Sequence, residues 1–251
     1  MKKIAWVTGG GTGIGLSTAQ SLGQAGFRVV ISGRRADALD AAVKGLQLQG
    51  IEASSVVMDV SEAAQVSAAA AQIGPVDVLV CSAGINVPNR MWHNLTPEGF
   101  AKVSAINLNG VAYCVTAVLK GMRERGEGHI VVVSSWAGWR FTSFTGAAYG
   151  ATKMGLAPLV ESLNDQEGQH GIRATFVAPG EVATPILKSR PIPPSEADIA
   201  RMLKPEDVAD AICYAVQAPK HVCINELVIS PTYNRIYLGA DDFKRATKPS
   251  N

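Results

Sequence analysis

The sequence predicts a doubly wound α/β fold: a parallel sheet of about seven strands with helices on both faces, in three αβα layers. Three observations carry this. Short apolar runs alternate with longer helical patterns along the chain. Those runs are apolar at nearly every position, as in strands buried on both faces of a parallel sheet. No Pro/Gly/Ser-rich linker or short-period repeat divides the 251 residues, so 1–251 reads as one domain around one core.

The first strand is "IAWVT" at 4–8, apolar and rich in β-branched residues, followed by a helix over about 13–25. "RVVIS" (28–32) is the second strand, with a helix over 36–49. "ASSVVMDV" (53–60) and "VDVLVCSAG" (76–84) are the third and fourth, separated by a helix over 62–71. A long helix over about 97–125 leads to the fifth strand, "GHIVVVSS" (128–135). A helix over 147–167, the strand "IRATFVAPG" (172–180), a helix over 205–217 and the strand "NELVIS" (225–230) complete the series. Right-handed crossovers then place helices on both faces. The segment 184–205 is rich in proline and charge and follows a strand's carboxyl end, where such sheets bind ligands; it reads as a substrate-binding loop or a plain surface loop. The tail after Ser230 carries no pattern.

Composition excludes several functions. Net charge is +2 with no long run of one sign, so neither nucleic acid nor an anionic membrane is implied as a partner. Cys81, Cys114, Cys213 and Cys223 are scattered without CxxC spacing, which fits reduced thiols in a cytoplasmic protein. After "MKK" only "IAWV" precedes a glycine run, too short for a signal peptide, and no apolar run approaches a membrane span. The four histidines make no metal-ligand cluster.

"VTGGGTGIG" follows the first strand and opens a helix. Gly9, Gly13 and Gly15 let the chain turn tightly and let backbone N–H groups approach a pyrophosphate at the positive helix end. The second strand ends "ISGRR", where an NAD site usually places a carboxylate for the ribose 2′-OH. Gly33, Arg34 and Arg35 stand there instead, and a guanidinium suits a 2′-phosphate, so NADP is favoured over NAD. Solvated arginines are the plainer reading. Asp59, after the third strand, either bonds an adenine edge or caps the next turn.

"GAAYGATKMG" sets Tyr149 and Lys153 at i and i+4 on one helix face, among glycine and alanine that leave room for a ligand. A phenol alone titrates near 10, and a neighbouring ammonium lowers that value toward useful acid–base chemistry. Ser134 and Ser135 end the fifth strand beside this helix, where a hydroxyl can bond a substrate oxygen as charge develops. Asn107 is a polar residue on an otherwise apolar helix face, either functional or a satisfied buried amide.

Taken in order, "TGGGTGIG" from Thr8, "DV" at Asp59, "CSAG" from Cys81, Asn107, Ser135, "YGATK" from Tyr149 and "PGEVAT" from Pro179 resemble a conventional short-chain dehydrogenase/reductase over nearly the whole chain. The resemblance implies a Rossmann-like fold, assembled as a homotetramer or homodimer through the helices around Asn107 and Tyr149. It implies that Tyr149 is the general acid–base and that Lys153 lowers its pKa and holds a ribose. Ser135 would position the substrate oxygen, with Ser134 as the fallback, and Asn107 would support a water relay. It also implies a cofactor surface of Thr8, Gly9, Gly11, Thr12, Gly13, Ile14 and Gly15, then Gly33, Arg34 and Arg35, then Asp59 and Val60. Ala83, Gly84, Pro179, Gly180, Val182 and Thr184 would complete it. The usual N-N-A-G reads Cys81-Ser82-Ala83-Gly84 here, and cysteine braces a neighbouring strand less well than asparagine.

The substrate implied is a small carbonyl or alcohol. Trp136, Trp139, Arg140 and Phe141, with Trp92 and His93, either wall its pocket or anchor a subunit interface. Aromatic walls suit an apolar or ring-bearing carbonyl, and Arg140 is the candidate for receiving a carboxylate. An NAD-linked hydroxy-acid or polyol dehydrogenase is the alternative, resting on a short likeness of "INELVISPT" to serine-oxidising relatives. A cofactor-binding regulator without turnover is the remote one.

Overall fold

The computed structural model describes residues 2–247. Its strands are β1 (Ile4–Thr8), β2 (Arg28–Gly33), β3 (Ala53–Val57), β4 (Val78–Cys81), β5 (Gly128–Val133), β6 (Ile172–Pro179) and β7 (Glu226–Ile229). They form one sheet in the order β3-β2-β1-β4-β5-β6-β7, with every pairing parallel. Placing β4 beside β1 reverses the direction in which the chain steps across the sheet. The loops leaving these two strands therefore part and open a crevice at their carboxyl ends.

Strand alternation sorts the helices. Ala5, Val7, Val29, Ile31, Val78, Val80 and Val131 pack with Leu22 of α1 (Gly13–Gln24), Leu39 and Leu46 of α2 (Ala36–Leu48), and Ile212 of α9 (Pro205–Gln217). Trp6, Val30, Leu79, Ile130, Val132 and Phe176 point the other way, against α3 (Ala63–Ile73), α5 (Gly110–Arg125) and α7 (Ala147–Glu167). The edges depart from burial on both faces: β3 and β7 are half-exposed, with Val57 and Val228 facing solvent. The predicted strands 53–60, 76–84 and 128–135 also leave the sheet early, at Val57, Cys81 and Val133, because their last residues turn outward to line the crevice.

The helix predicted over 97–125 is α4 (Pro97–Ser104), a π-helical turn at Ala105–Asn109, and α5. By length and composition it is long and apolar enough to cross a membrane, which corrects the reading that no run approaches a span. Here Val111, Cys114, Val115, Val118 and Met122 of that helix pack in the sheet core. The segment 184–205 folds as a 3-10 turn, Pro185–Ser189, and α8 (Glu196–Ile199). Its ends are tied where Ala183 N–H donates to Leu203 O at 2.8 Å and Leu203 N–H to Glu181 O at 3.0 Å. α6 (Trp136–Trp139) and, in the tail that carried no pattern, α10 (Arg235–Leu238) and α11 (Asp241–Ala246) were not foreseen.

Phe176 is 1% exposed within the larger core cluster. Phe176→Ala is expected to cost about 3–5 kcal/mol of unfolding free energy, read by urea titration. A loss below about 1 kcal/mol would mean the core collapses around the gap or is not built on this ring.

Candidate active site

A cavity of about 540 Å³ runs along the carboxyl ends of the strands. Gly9, Gly11, Thr12, Gly13, Ile14 and Gly15 line it after β1, Gly33, Arg34 and Arg35 after β2, and Asp59 and Val60 after β3. Ala83 and Gly84 line it after β4, Ser134, Ser135 and Trp136 after β5, and Pro179, Gly180, Val182 and Thr184 at and beyond the end of β6. Tyr149 and Lys153 reach it from α7.

The β1 turn is built for an anion. Gly9 has φ +65°, and a Cβ there would sit 2.8 Å from Ala83 Cα, so the turn and the β4 loop meet backbone to backbone. The N-cap of α1, Thr12, makes no side-chain cap bond, and the first turn holds no acidic residue. The positive helix end and its N–H groups therefore face the cavity uncompensated, which fits a phosphate. Thr8 lies beneath the turn rather than on the cavity wall. It is 1% exposed, and its Oγ1 accepts from Ala83 N–H at 3.3 Å.

Arg34 and Arg35 line the cavity with no carboxylate at the tip of β2, but Asp59 approaches from β3. Its Oδ2 stands 3.7 Å from Arg34 Nη1, so that arginine is not simply solvated. Burial pushes the Asp59 carboxyl up; the Ser61 amide and hydroxyl, with Arg34, outweigh it and hold it below the usual range. Asp59 thus caps Ser61, accepting from its N–H at 3.0 Å and its hydroxyl at 2.8 Å.

Seating α7 against β5 sets the other half. Ser134 Oγ donates to Lys153 O at 2.9 Å, and Lys153 Nζ donates to Val133 O at 2.8 Å. The approach needs Gly138, where a Cβ would lie 2.2 Å from Ser134 Oγ and 2.5 Å from Lys153 O. Ser134 is thereby committed to structure. Ser135 Oγ accepts from Ala137 N–H at 3.2 Å as the cap of α6, which leaves its own proton free to donate into the cavity.

The ionisation of Tyr149 runs against the sequence expectation. Its ring is partly open to the cavity, yet desolvation of the phenol dominates and pushes its pKa above the ordinary value of 10.0. The Ser135 hydroxyl and the guanidiniums of Arg190 and Arg90 act in the opposite direction without prevailing. Lys153 reaches the same cavity one turn further along α7. Its Nζ is turned to Val133 O, 5.9 Å from the Tyr149 ring centroid, and burial brings its own pKa down to about 8.

The family model described as short chain dehydrogenase matches residues 3–193. The chain belongs to the short chain dehydrogenase family. It is 34% identical over 238 residues to the glycine betaine reductase of Emericella nidulans, covering 91% of this chain but 19% of that protein. It is 36% identical over 222 residues to cis-4-hydroxycyclohexanecarboxylate dehydrogenase of Sinomonas cyclohexanicum, covering 85% of this chain and 88% of the relative. Among solved structures it resembles an alcohol dehydrogenase from the archaeon Thermococcus sibiricus complexed with 5-hydroxy-NADP. The TM-score is 0.83 at 29% identity, covering 94% of this chain and 99% of that one.

In this short chain dehydrogenase Asn107 is the residue the family pattern has, whereas Cys81 departs from it. Asn107 is fully buried in the π-helical turn and does not reach the cavity. Its Oδ1 accepts from Ile85 N–H at 2.8 Å and its Nδ2 donates to Ile85 O at 2.9 Å, so it fastens the loop after β4. Cys81 meets Cys114 in the core, and that contact together with burial pushes its thiol well up. It supplies packing where the usual asparagine supplies a brace.

The substrate side needs the largest correction. Trp92 is 82% exposed and lies off the cavity, because its loop turns outward. Arg140 is spent on Trp139, its guanidinium carbon 4.3 Å from that ring centroid, and does not line the cavity. Of the predicted aromatic wall Trp136 remains, packed edge-on against Tyr237 at 5.3 Å between centroids. The arginines that line its substrate side are Arg90 and Arg190, with Glu181, Phe144 and Ile236. Phe144 stacks on Phe243 of α11 at 3.9 Å, so the patternless tail helps to close the site.

The lowered pKa of Lys153 has a consequence for stability. Between about pH 8 and the ordinary lysine value of 10.5, the unfolded chain holds a proton that the folded chain has released, so folding becomes more favourable as pH rises through this window. Lys153→Met is therefore expected to be more stable than the parent at pH 7, by up to roughly 3 kcal/mol, with the gap closing toward pH 10. Urea unfolding at the two pH values checks it, and a gap that does not change with pH contradicts it.

Proposed function

We propose that this chain is an NADP-preferring oxidoreductase that interconverts a ketone or aldehyde with its alcohol, with Tyr149 as general acid–base. The observation that carries the reading is the convergence of the Ser135 hydroxyl, the Tyr149 phenol and the Lys153 ammonium on one cavity whose far half is an uncompensated helix N-terminus. The dinucleotide, when bound, supplies the two-electron redox chemistry. The β1 turn would hold its phosphates, Arg34 and Arg35 its 2′-phosphate, and Lys153 a ribose.

Burial keeps the phenol neutral at pH 7, so Tyr149 is poised to donate its proton to a carbonyl oxygen. Ser135 donates a second hydrogen bond to that oxygen as negative charge gathers on it. Arg190 and Arg90 favour the phenolate left behind. In the reverse direction the phenolate takes the alcohol proton. The archaeal alcohol dehydrogenase complexed with 5-hydroxy-NADP supports the cofactor preference, while the Asp59–Arg34 pair favours NAD. The Sinomonas relative acts on a ring alcohol that carries a carboxylate, and a site holding Arg90 and Arg190 suits an anion better than a quaternary ammonium. A cytoplasmic homotetramer or homodimer belongs to the same proposal. Phe100 of α4 and Met154 of α7 are exposed, and Leu108 and Leu119 along the same long helix are partly buried, giving its surface apolar contacts to offer.

Tyr149→Phe is expected to lower turnover at least about 100-fold while NADPH still binds, as followed by nucleotide fluorescence. Undiminished turnover removes the phenol from the chemistry. Arg34→Ala is expected to raise the KM for NADP at least about tenfold more than that for NAD, and equal effects on both contradict the assignment.

A further inference from the structure

The substrate side of the cavity holds a buried positive charge that the protein leaves unmatched. Arg90 is 4% exposed. Its Nε donates to Val87 O at 2.8 Å and its Nη2 to Ser189 O, both neutral carbonyls. Among the described residues no carboxylate comes within ion-pair distance of it, and Nη1 has no protein hydrogen-bond partner.

The neighbouring guanidiniums are treated differently. Arg235 is paired with Glu181, Asp198 and Asp242. Arg190 meets Glu181 at 2.6 Å and lies 5.3 Å over the Phe144 ring. Three acids thus serve two arginines, and the third arginine, Arg90, stands apart. Arg90 also touches the start of the Tyr149 helix, where its carbonyl accepts from Ala147 N–H at 3.2 Å. Arg90 and Tyr149 both line the cavity, and the guanidinium lies near enough to the phenol to favour its ionised form. Burial, and then repulsion from Arg190, pull the Arg90 pKa down to about 10. A buried guanidinium without an anion is strongly unfavourable, and a ligand anion would match it with a forked pair.

We propose that Arg90, with Arg190 beside it, receives a carboxylate carried by the substrate, so that the substrate is an oxo acid or hydroxy acid held with its acid end on Arg90 and its carbonyl or carbinol at Tyr149. The choice of carbonyl follows from the oxidoreductase reading; the anion site itself does not depend on it. Phe144, Trp136 and Ile236 supply the apolar wall between the two ends.

The test separates the anion site from turnover by using probes that cannot be reduced. Cyclohexanecarboxylate and cyclohexanecarboxamide, matched in shape and differing in charge, are titrated calorimetrically into the full chain with saturating NADP. The acid is expected to bind at least about tenfold more tightly than the amide. R90Q should bring the two within about twofold, and R90K, which keeps the charge but loses the fork, should fall between. Circular dichroism checks that each variant is folded; if R90Q is not, the comparison of acid and amide on the parent protein decides alone.

Equal affinity of the parent for acid and amide overturns the proposal, as does failure to bind the acid at about 10 mM. A folded R90Q that still prefers the acid overturns it too, and so does an R90Q that loses NADP affinity while keeping acid affinity, since Arg90 would then serve the dinucleotide. Selective binding of the acid with no turnover of any oxo or hydroxy acid upholds the anion site and sinks the oxidoreductase reading instead.

Discussion

The seating of one helix on the end of one strand underlies everything else in this chain. Ser134 reaches from β5 to the carbonyl of Lys153, and Lys153 reaches back from α7 to the carbonyl of Val133. These reciprocal bonds draw an ammonium and a phenol into a low-dielectric place, and Gly138 is there because nothing larger fits between. The result is electrostatically unfavourable for both groups. The ammonium is driven toward losing its proton and the phenol toward keeping it. That is a liability for folding and an asset for chemistry, since a neutral phenol beside a free Ser135 hydroxyl is a proton donor aimed at an oxygen.

The rest of the cavity continues this pattern of charge left unmatched. At one end α1 presents its N–H groups with no acid in the first turn and no side-chain cap. At the other, Arg90 has, among the described residues, only neutral carbonyls for partners. Elsewhere the protein matches its buried charges with care: Arg235 alone meets three carboxylates, and Arg123 is paired with buried Glu167. The contrast marks the two ends of the cavity as places where anions arrive from outside. Between them Lys153 and Tyr149 lie on the path that would join a dinucleotide to a substrate.

The sheet was legible because each strand is a local run and each helix a local period; the predicted helices over 147–167 and 205–217 coincide with α7 and α9. The glycine turn and the Tyr149–Lys153 pair were legible for the same reason, being close in sequence. What escaped is what depends on distance along the chain. Arg90 meets Ser189 across 99 positions and Arg235 meets Glu181 across 54, and an arginine in a loop reads as solvated until its partners are known. Arg140 and Trp92 looked better placed, yet one is spent on Trp139 and the other faces solvent. The direction of the Tyr149 shift was missed because i,i+4 spacing shows that a cation is near but not how little water is.

The balance between burial and nearby cations at Tyr149 is measurable without cofactor or substrate. With tyrosine labelled at Cζ with ¹³C and Tyr149→Phe used for assignment, carbon NMR follows each phenol through alkaline pH. Dominant burial predicts that Tyr149 ionises above the ordinary phenol value of 10.0. Ionisation of Tyr149 below that value, in the free protein, would mean that its cations outweigh its desolvation, and would contradict the arrangement described for α7 and β5.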